Sequence, residues 1–352
     1  MEKSLSTDEL ISLLPRNYIN LCYETKTTHR ARELKEAHEL MPICLNYLYG
    51  GLTLLELSAF ALLKGYQISD VALMEKMAHC SDWYKAIISE MQSPQIANYT
   101  KPVGLEEYEI FANDGSDIVP KGRGKKAFRL HYSINIFSLS TAQFKITDYK
   151  TGESLKNFKI KAKQVHIADR AYGTKTSIEH CLNHGGDIIV RLQKGAFTLY
   201  DAQKNKIVLT EELKKVTESN LLDYHCFFEN ADKKLTPIRI CAIRKTPENI
   251  EKTQIKIARK ESRKQINISA DAKFMNNFIV LATTLTQIAA NEILEIYRYR
   301  WQVELYFKRL KSILCIGEVP NKKEEHIIAW LNGKMMTALL IEQLFSEVSF
   351  SP

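Results

Sequence analysis

Near Pro102 the hydrophobic period of this 352-residue chain changes from about 3.6 to about 2, and that change restricts the available folds more than any other feature. From about Ser6 to Ala97, Leu, Ala and Met recur at three- and four-residue steps, the mark of amphipathic helices. Beyond Pro102, Tyr108, Ile110 and Ala112 alternate with polar residues into Asn113-Asp114-Gly115-Ser116, which reads as a strand stopping at an acidic residue and a turn. Phe128, Leu130, Tyr132, Ile134 and Ile136 alternate over a second strand, and Phe144 to Asp148 form a third, so a meander is expected. Val165 to Ala168 reads as a buried strand that ends at Asp169-Arg170-Ala171-Tyr172-Gly173. A helix around Ser177 to Asn183 and a strand from Asp187 to Leu192 follow, and this alternation predicts a mixed α/β sheet. Asp114 and Asp169 then lie side by side if their strands are neighbours; taken singly, each is an ordinary turn residue.

The remaining segments complete the plan. Gly195 to about Ile243 carries short apolar runs (AFTLY, KIVL, IRICAI) between polar turns and reads as a β-rich insertion, with a basic helix around Glu251 to Lys264 as its exit. Asn277 to Thr284 is an apolar strand, and a last amphipathic helix runs from about Glu324 to Phe345. The division expected is a helical N-terminal domain over 1–100, where a helix-turn-helix outline makes DNA contact a candidate; a mixed α/β core over 101–194 and 270–320; the insertion over 195–269; and a C-terminal helix over 321–352. Leu54 to Leu63, a Lys64-Gly65-Tyr66-Gln67 turn and a second helix capped by Ser69 have the outline of a helix-turn-helix. That second helix is poor in the Arg, Asn and Gln that read base edges, which favours plain packing over sequence reading.

Charge adds a partner class. Lys and Arg number 49 against 41 Asp and Glu, and the surplus is concentrated at Lys121 to Lys126 (KGRGKK), Lys156 to Lys163 and Ile255 to Lys264. A polyanion fits such clusters, although each alone also reads as a solvated face. Seven scattered cysteines without a Cys-x-x-Cys pair argue for a reducing cytoplasm and against a disulfide framework or zinc site. The N-terminus lacks a signal-peptide pattern, and the most apolar stretch, Leu52 to Leu63, is too short to span a bilayer and carries Glu56.

The stretch Tyr297 to Lys311, YRYRWQVELYFKRLK, holds the remaining chemistry. On a continuous helix Tyr297, Arg300, Glu304 and Lys311 fall within an arc of about 60°, along roughly 21 Å of axis. Trp301, Leu294 and Leu305 flank that stripe on one side and Val303, Phe307, Leu310 and Leu314 on the other, while Arg298, Gln302 and Arg309 face away. An ion-paired surface with Arg300 bonded to Glu304 is the plain alternative. If the sheet brings Asp114 and Asp169 together and the helix lays Glu304 across them, three hard oxygen donors gather where Mg²⁺ or Mn²⁺ binds. Two such ions serve in-line displacement at phosphorus, and the flanking cations hold phosphates without reading base identity. A glycosidase also pairs carboxylates, yet three of them with a basic surround favour phosphate. His131 and His166, on or beside core strands, read as hydrogen-bonded core histidines.

The Tyr-x2-Arg-x3-Glu-x6-Lys spacing of Tyr297, Arg300, Glu304 and Lys311 resembles the signature helix of bacterial insertion-sequence transposases of the DDE class, the Tyr-Arg-Glu-Lys group. Asp114-Gly115-Ser116 resembles the first block of that family and Ala168 to Gly173 its second; Leu130-His131 and Ile188, Val190 and Arg191 also fit. The resemblance covers roughly residues 105–195 and 250–320. It implies an α/β fold with a ribonuclease H-like core interrupted by a β-strand insertion before the last acidic residue, and cut-and-paste movement of DNA. It implies Mg²⁺ (or Mn²⁺), as two ions, on Asp114, Asp169 and Glu304, and phosphate contacts from Tyr297, Arg300 and Lys311. Lys121, Arg123 and Arg170 complete the DNA-binding candidates. A homodimer bridging two double-stranded transposon ends, acting at terminal inverted repeats and target DNA in the bacterial cytoplasm at the nucleoid, is likewise implied, while no base-flipping residue is assigned. Two readings compete: a catalytically idle or domesticated DNA-binding relative, and a Mg²⁺-dependent nuclease of the same fold.

Overall fold

The computed structural model describes residues 6–29, 31–91, 101, 103–119, 128–317, 319 and 323–349. Six helices come first: α1 (Thr7–Ser12), α2 (Tyr18–Glu24), α3 (Ala37–Leu48), α4 (Leu54–Leu63), α5 (Asp70–His79) and α6 (Ser81–Glu90). The helix-turn-helix outline falls on α4 and α5, with Ser69 accepting a hydrogen bond from the Ala72 amide as the N-cap. Then come β1 (Glu109–Ile118), β2 (Phe128–Asn135), β3 (Ser140–Asp148), β4 (Gln164–Ala168), α7 (Lys175–Asn183) and β5 (Asp187–Arg191). The stretch expected to be an insertion holds β6 (Leu199–Tyr200), β7 (Lys206–Ile207), α8 (Leu209–Lys214), β8 (Leu222–Glu229), β9 (Leu235–Arg244) and α9 (Pro247–Lys264), and α10 (Ala270–Met275) follows it. The chain closes with β10 (Phe278–Thr283), α11 (Ala290–Arg298), α12 (Trp301–Ile313) and α13 (Glu324–Ser349).

The ten strands of the described residues belong to one sheet, in the order β3-β2-β1-β4-β5-β10-β9-β8-β6-β7. β1, β4 and β5 run parallel, and β2 and β3 continue the sheet antiparallel from the β1 edge. This five-stranded half is the ribonuclease H-like arrangement. β10 pairs antiparallel with β5 and carries β9 and β8, so the insertion extends the core sheet.

Parallel strands covered on both faces need apolar residues at successive positions, and every residue of β4 is buried. Val165 and Ile167 join the cluster formed with the N-terminal helices and α12, while Ala168 belongs to the opposite cluster with Ile178 and Cys181 of α7. Neighbouring β5 divides the same way, Ile189 against Ile188 and Val190. Each such side chain contributes about 1.5–3 kcal/mol relative to exposure. α13 packs on α3, α5, α6 and β3, so the end of the chain closes over its beginning.

Two expectations need correction. β1 does not stop at Asp114: Asp114 pairs with Tyr132 and Gly115 with His131, and the strand continues to Ile118. Hydrogen bonding to β2 outweighs the turn propensity of Asn-Asp-Gly-Ser. Nor is the Tyr297–Lys311 stretch one helix. Tyr299 and Arg300 separate α11 from α12, and the amides of Tyr299, Arg300, Gln302 and Val303 bond three residues back, tightening the joint.

Candidate metal and DNA site

The parallel ladder between β1 and β4 ends at the pair Asn113 and Ala168. The next residue on each strand is an aspartate, so Asp114 and Asp169 leave adjacent strands at the same level, about 4.8 Å apart in backbone spacing. Each carboxylate is fixed by a local amide: Asp114 Oδ1 accepts from Gly115 N at 2.8 Å, and Asp169 Oδ1 from Ala171 N at 2.8 Å. Behind Asp169 the chain turns closely against β5, where a Cβ on Gly173 would stand 2.6 Å from the Arg191 carbonyl oxygen. Only glycine fits that approach.

Burial pushes the Asp114 carboxyl up to about 7; the Gly115 amide opposes this, Asp169 adds to it, Arg300 opposes it and Glu153 adds to it. Ionisation of Asp114 therefore calls for a positive charge nearby. α12 packs on β1 and β2, and Arg300, at the joint that precedes it, supplies one. Arg300 Nη2 meets Glu304 Oε1 at 2.6 Å, and its guanidinium lies 5.9 Å from the centre of the Tyr297 ring. Burial works against the Arg300 charge, and Tyr297, Glu304 and Asp114 outweigh it, raising its pKa. The Tyr297 hydroxyl is raised by burial while facing Arg300, Arg191 and Asp169.

Further cations extend from this point. The Arg170 pKa is lowered by burial, opposed by Tyr297 and Asp169; that of Arg191 is lowered by burial and then by Arg170. Lys245, just past β9, is pushed down to about 8 by burial and by Arg191, Arg170 and Lys256. Its ammonium donates to Thr253 Oγ1 at 3.1 Å and to the Asn276 carbonyl at 2.6 Å. A row of mutually repelling, half-buried cations thus leads from the aspartates to α9.

The residues singled out in the sequence are distributed as follows. Asp114, Asp169, Arg170, Tyr297, Arg300 and Glu304 come together. Lys311 stands exposed about two turns beyond Glu304 on α12, and Lys121 and Arg123 lie outside the described residues. The expectation that Glu304 faces Asp114 and Asp169 at metal-bridging distance is not met: among the described residues these carboxylates do not gather within 4.8 Å, and Arg300 holds Glu304. The group that does gather is Glu75, Glu325 and His326, on α5 and α13, where Lys323 Nζ already meets Glu75 at 3.0 Å. Of the two apolar walls predicted beside the stripe, Val303, Phe307, Leu310 and Leu314 are buried, but Trp301 is 50% exposed beneath Lys308. Arg298 faces away as expected, paired with Glu295 at 2.8 Å. His131 and His166 are buried and hydrogen-bonded. Lys245, in a loop of ordinary composition, was not singled out in the sequence, and Arg191 was quoted without a role although its place at a strand end beside the second aspartate was a usable signal.

The helices of the described residues include none long and apolar enough to cross a membrane. Residues 108–340 match the family model for the transposase DDE domain. The chain is 26% identical over 332 residues to InsL of insertion sequence element IS186A from Escherichia coli (strain K12), covering 92% of this chain and 89% of that protein. It is 26% identical over 333 residues to the transposase for insertion sequence element IS421 of Escherichia coli, again covering 92% and 89%. The transposase for insertion sequence element IS231E of Bacillus thuringiensis subsp. finitimus is 32% identical over 111 residues, which is 31% of this chain and 23% of that protein. With two aspartates side by side on a ribonuclease H-like sheet and the family match spanning its strands, the chain belongs to the DDE transposases, enzymes that cleave and join DNA with divalent metal ions.

Proposed function

We propose that Asp114, Asp169 and Glu304 hold the divalent ions of an insertion-sequence transposase of the Tyr-Arg-Glu-Lys group, with Mg²⁺ or Mn²⁺ as two ions. The observation that carries the assignment is the register that ends at Asn113 and Ala168 and leaves two aspartates adjacent, one of them hard to ionise alone. The donor set is hard oxygen, as these ions require, and among the described residues the buried Tyr172 hydroxyl has no hydrogen-bond partner, which leaves it available to a bound oxygen. When bound, the ions activate an attacking water or 3′-hydroxyl and steady the leaving oxygen. The chain's own residues do the rest. Asp114 gives up its proton before binding a cation. Arg300 holds Glu304 in an ion pair until the site is filled. Tyr297, Arg300, Arg170, Arg191 and Lys245 contact backbone phosphates, a task for fixed donors without base readout, and Lys311 extends that contact along α12.

On this reading the substrate is double-stranded DNA bearing the element's terminal inverted repeats, joined afterwards to target DNA by a homodimer that bridges two ends. The test is cleavage and strand transfer of such a duplex. Wild-type protein with Mg²⁺ is expected to do both, and Asp114→Asn, Asp169→Asn and Glu304→Gln each to lose at least roughly a thousandfold in rate. Cleavage that survives Asp114→Asn and Glu304→Gln would reject the site; cleavage without joining would favour a nuclease.

A further inference from the structure

We infer that the basic flank of α9 is a docking surface for duplex DNA, gripping backbone phosphates about six base pairs from the bond that is cut. The inference rests on the proposed DNA substrate and adds the course that the DNA takes away from the aspartates.

The sequence of α9, PENIEKTQIKIARKESRK, sorts its residues by face. Thr253, Gln254, Ile257 and Glu261 fall within an arc of about 100° of the helix, and all four are tied to the protein. Thr253 Oγ1 accepts from Lys245 Nζ at 3.1 Å, and Gln254 Nε2 donates to Asn277 Oδ1 at 2.7 Å. Ile257 is buried, while Glu261 accepts from the Ile268 amide at 2.7 Å and meets Lys273 Nζ at 2.9 Å. Anchored along its length, the helix holds its other faces in set directions.

Lys252, Lys256, Arg259, Lys260 and Arg263 occupy a second arc of about 100°, centred about a third of a turn from the first and running along about 16 Å of axis. All five are exposed, and no acidic residue of α9 falls in their arc. Among the described residues the ion pair of α9 is Glu261 with Lys273, on the anchored face, and Glu248 bears on Lys252 at the end of the stripe. A merely solvated face intersperses both signs. Five aligned cations instead suit a polyanion that passes along them. α9 carries no aromatic side chain on which a single-stranded base could stack, so the occupant is a duplex held by its phosphates.

The stripe continues the row of cations that starts beside Asp169. Lys256 adds its charge to those of Arg191 and Arg170 around Lys245, and the anchored residue nearest the stripe, Thr253, is the one that Lys245 bonds. The sheet register gives the span. Extending the Ala168–Val190 pair puts Asp169 level with Arg191, which pairs with Leu281, and Leu281 with Cys241; Lys245 lies four residues past Cys241. Three strand spacings across and four residues along amount to about 20 Å. A duplex rises about 3.4 Å per base pair, which places α9 about six pairs from the bond held at the aspartates.

The test is salt-dependent binding and phosphate ethylation interference with the full-length protein on a duplex carrying the element's terminal repeat, in EDTA so that the DNA stays intact. Lys252→Gln, Lys256→Gln, Arg259→Gln, Lys260→Gln and Arg263→Gln are combined in one variant, with thermal melting as the folding control. The variant is expected to lose about 4 from the slope of log affinity against log salt. Its interference is expected to vanish at phosphates about six pairs from the cut and to persist at the cut itself. Lys256→Gln alone is expected to lower the slope by about 1 and decides the matter if the combined variant does not fold. A wild-type slope would overturn the inference, and so would interference weakened equally at every phosphate, which marks a general field rather than a docked duplex. Asp114→Asn is expected to keep slope and interference while losing Mg²⁺-dependent cleavage; cleavage retained there would reject the aspartate site and leave α9 as the docking surface.

Discussion

His131 sits wholly inside the protein, with Nε2 3.0 Å from Thr147 Oγ1 and Nδ1 3.3 Å from Asn157 Nδ2. Burial, then Arg129 and Lys145, push its pKa down to about 4, and burial pushes the buried His166 down to about 3. Both folded values lie below the unfolded value of about 6.5. Unfolding at mildly acidic pH therefore takes up protons. The stabilisation is present above about 6.5 and is lost as pH falls towards 4, at about 1.4 kcal/mol per pH unit for each histidine. Asp114 acts in the opposite sense over part of this range, so the useful comparison is a difference. Urea denaturation of His131→Gln between about pH 6 and pH 4.5 is expected to show a shallower decline than wild type by about one proton; parallel curves would mean that His131 titrates normally. At this scale much was legible: Asp114 and Asp169 announced themselves by ending apolar runs, and both histidines by lying on or beside core strands. Glu153, whose charge bears on Asp114, did not, because only the folded β3–β4 connection carries it to Gly115.

Among the elements, α12 is fixed by a polar network rather than by its apolar face alone. Tyr306 stacks on Tyr132 with ring centres 4.5 Å apart, and its hydroxyl lies 3.2 Å from Thr141 Oγ1 and bonds Glu342 of α13. Glu342 also accepts from the Thr141 amide at 2.9 Å and its hydroxyl at 2.6 Å. Glu304 lies two residues before Tyr306, so this network sets the height of Arg300 and Glu304 over β1. Tyr306→Phe keeps the stack and removes one donor to a buried carboxylate, with an expected loss of about 1–3 kcal/mol in denaturant unfolding. A loss below about 0.5 kcal/mol would show that the apolar face positions α12 unaided. The network was not readable in advance, since its members lie as much as 201 residues apart in the chain. The joint between α11 and α12 was equally hidden: Tyr297 to Trp301 holds no proline or glycine, and a tightened turn keeps nearly the same apolar period. Strand identities, by contrast, were plain from period-two patterning, while the length of β1 was decided by its partner β2.

Across the whole molecule the sheet separates two apolar clusters, and the strand order puts the aspartates near the middle of its core half. Because β10 joins β5 to β9, the insertion is tied to the core and Lys245 and α9 are carried to the same side as Arg170 and Arg191. Of the basic clusters read from the sequence, the one at Ile255 to Lys264 on α9 thus meets Arg170, Arg191 and Lys245, an order that composition alone could not give, while Lys121 to Lys126 lies outside the described residues. Arg191→Ala is expected to weaken duplex binding at all sequences and to reduce the slope of log affinity against log salt by about 1. An unchanged slope would remove Arg191 from the phosphate contacts. The central claim, that the divalent ions bind where the ladder between β1 and β4 ends, is tested most directly by loading the protein with Fe²⁺ and mapping where ascorbate and peroxide cut its backbone. The account predicts cuts beside Asp114, Asp169 and Glu304 that excess Mg²⁺ suppresses. Cuts confined to Glu75, Glu325 and His326 would contradict it.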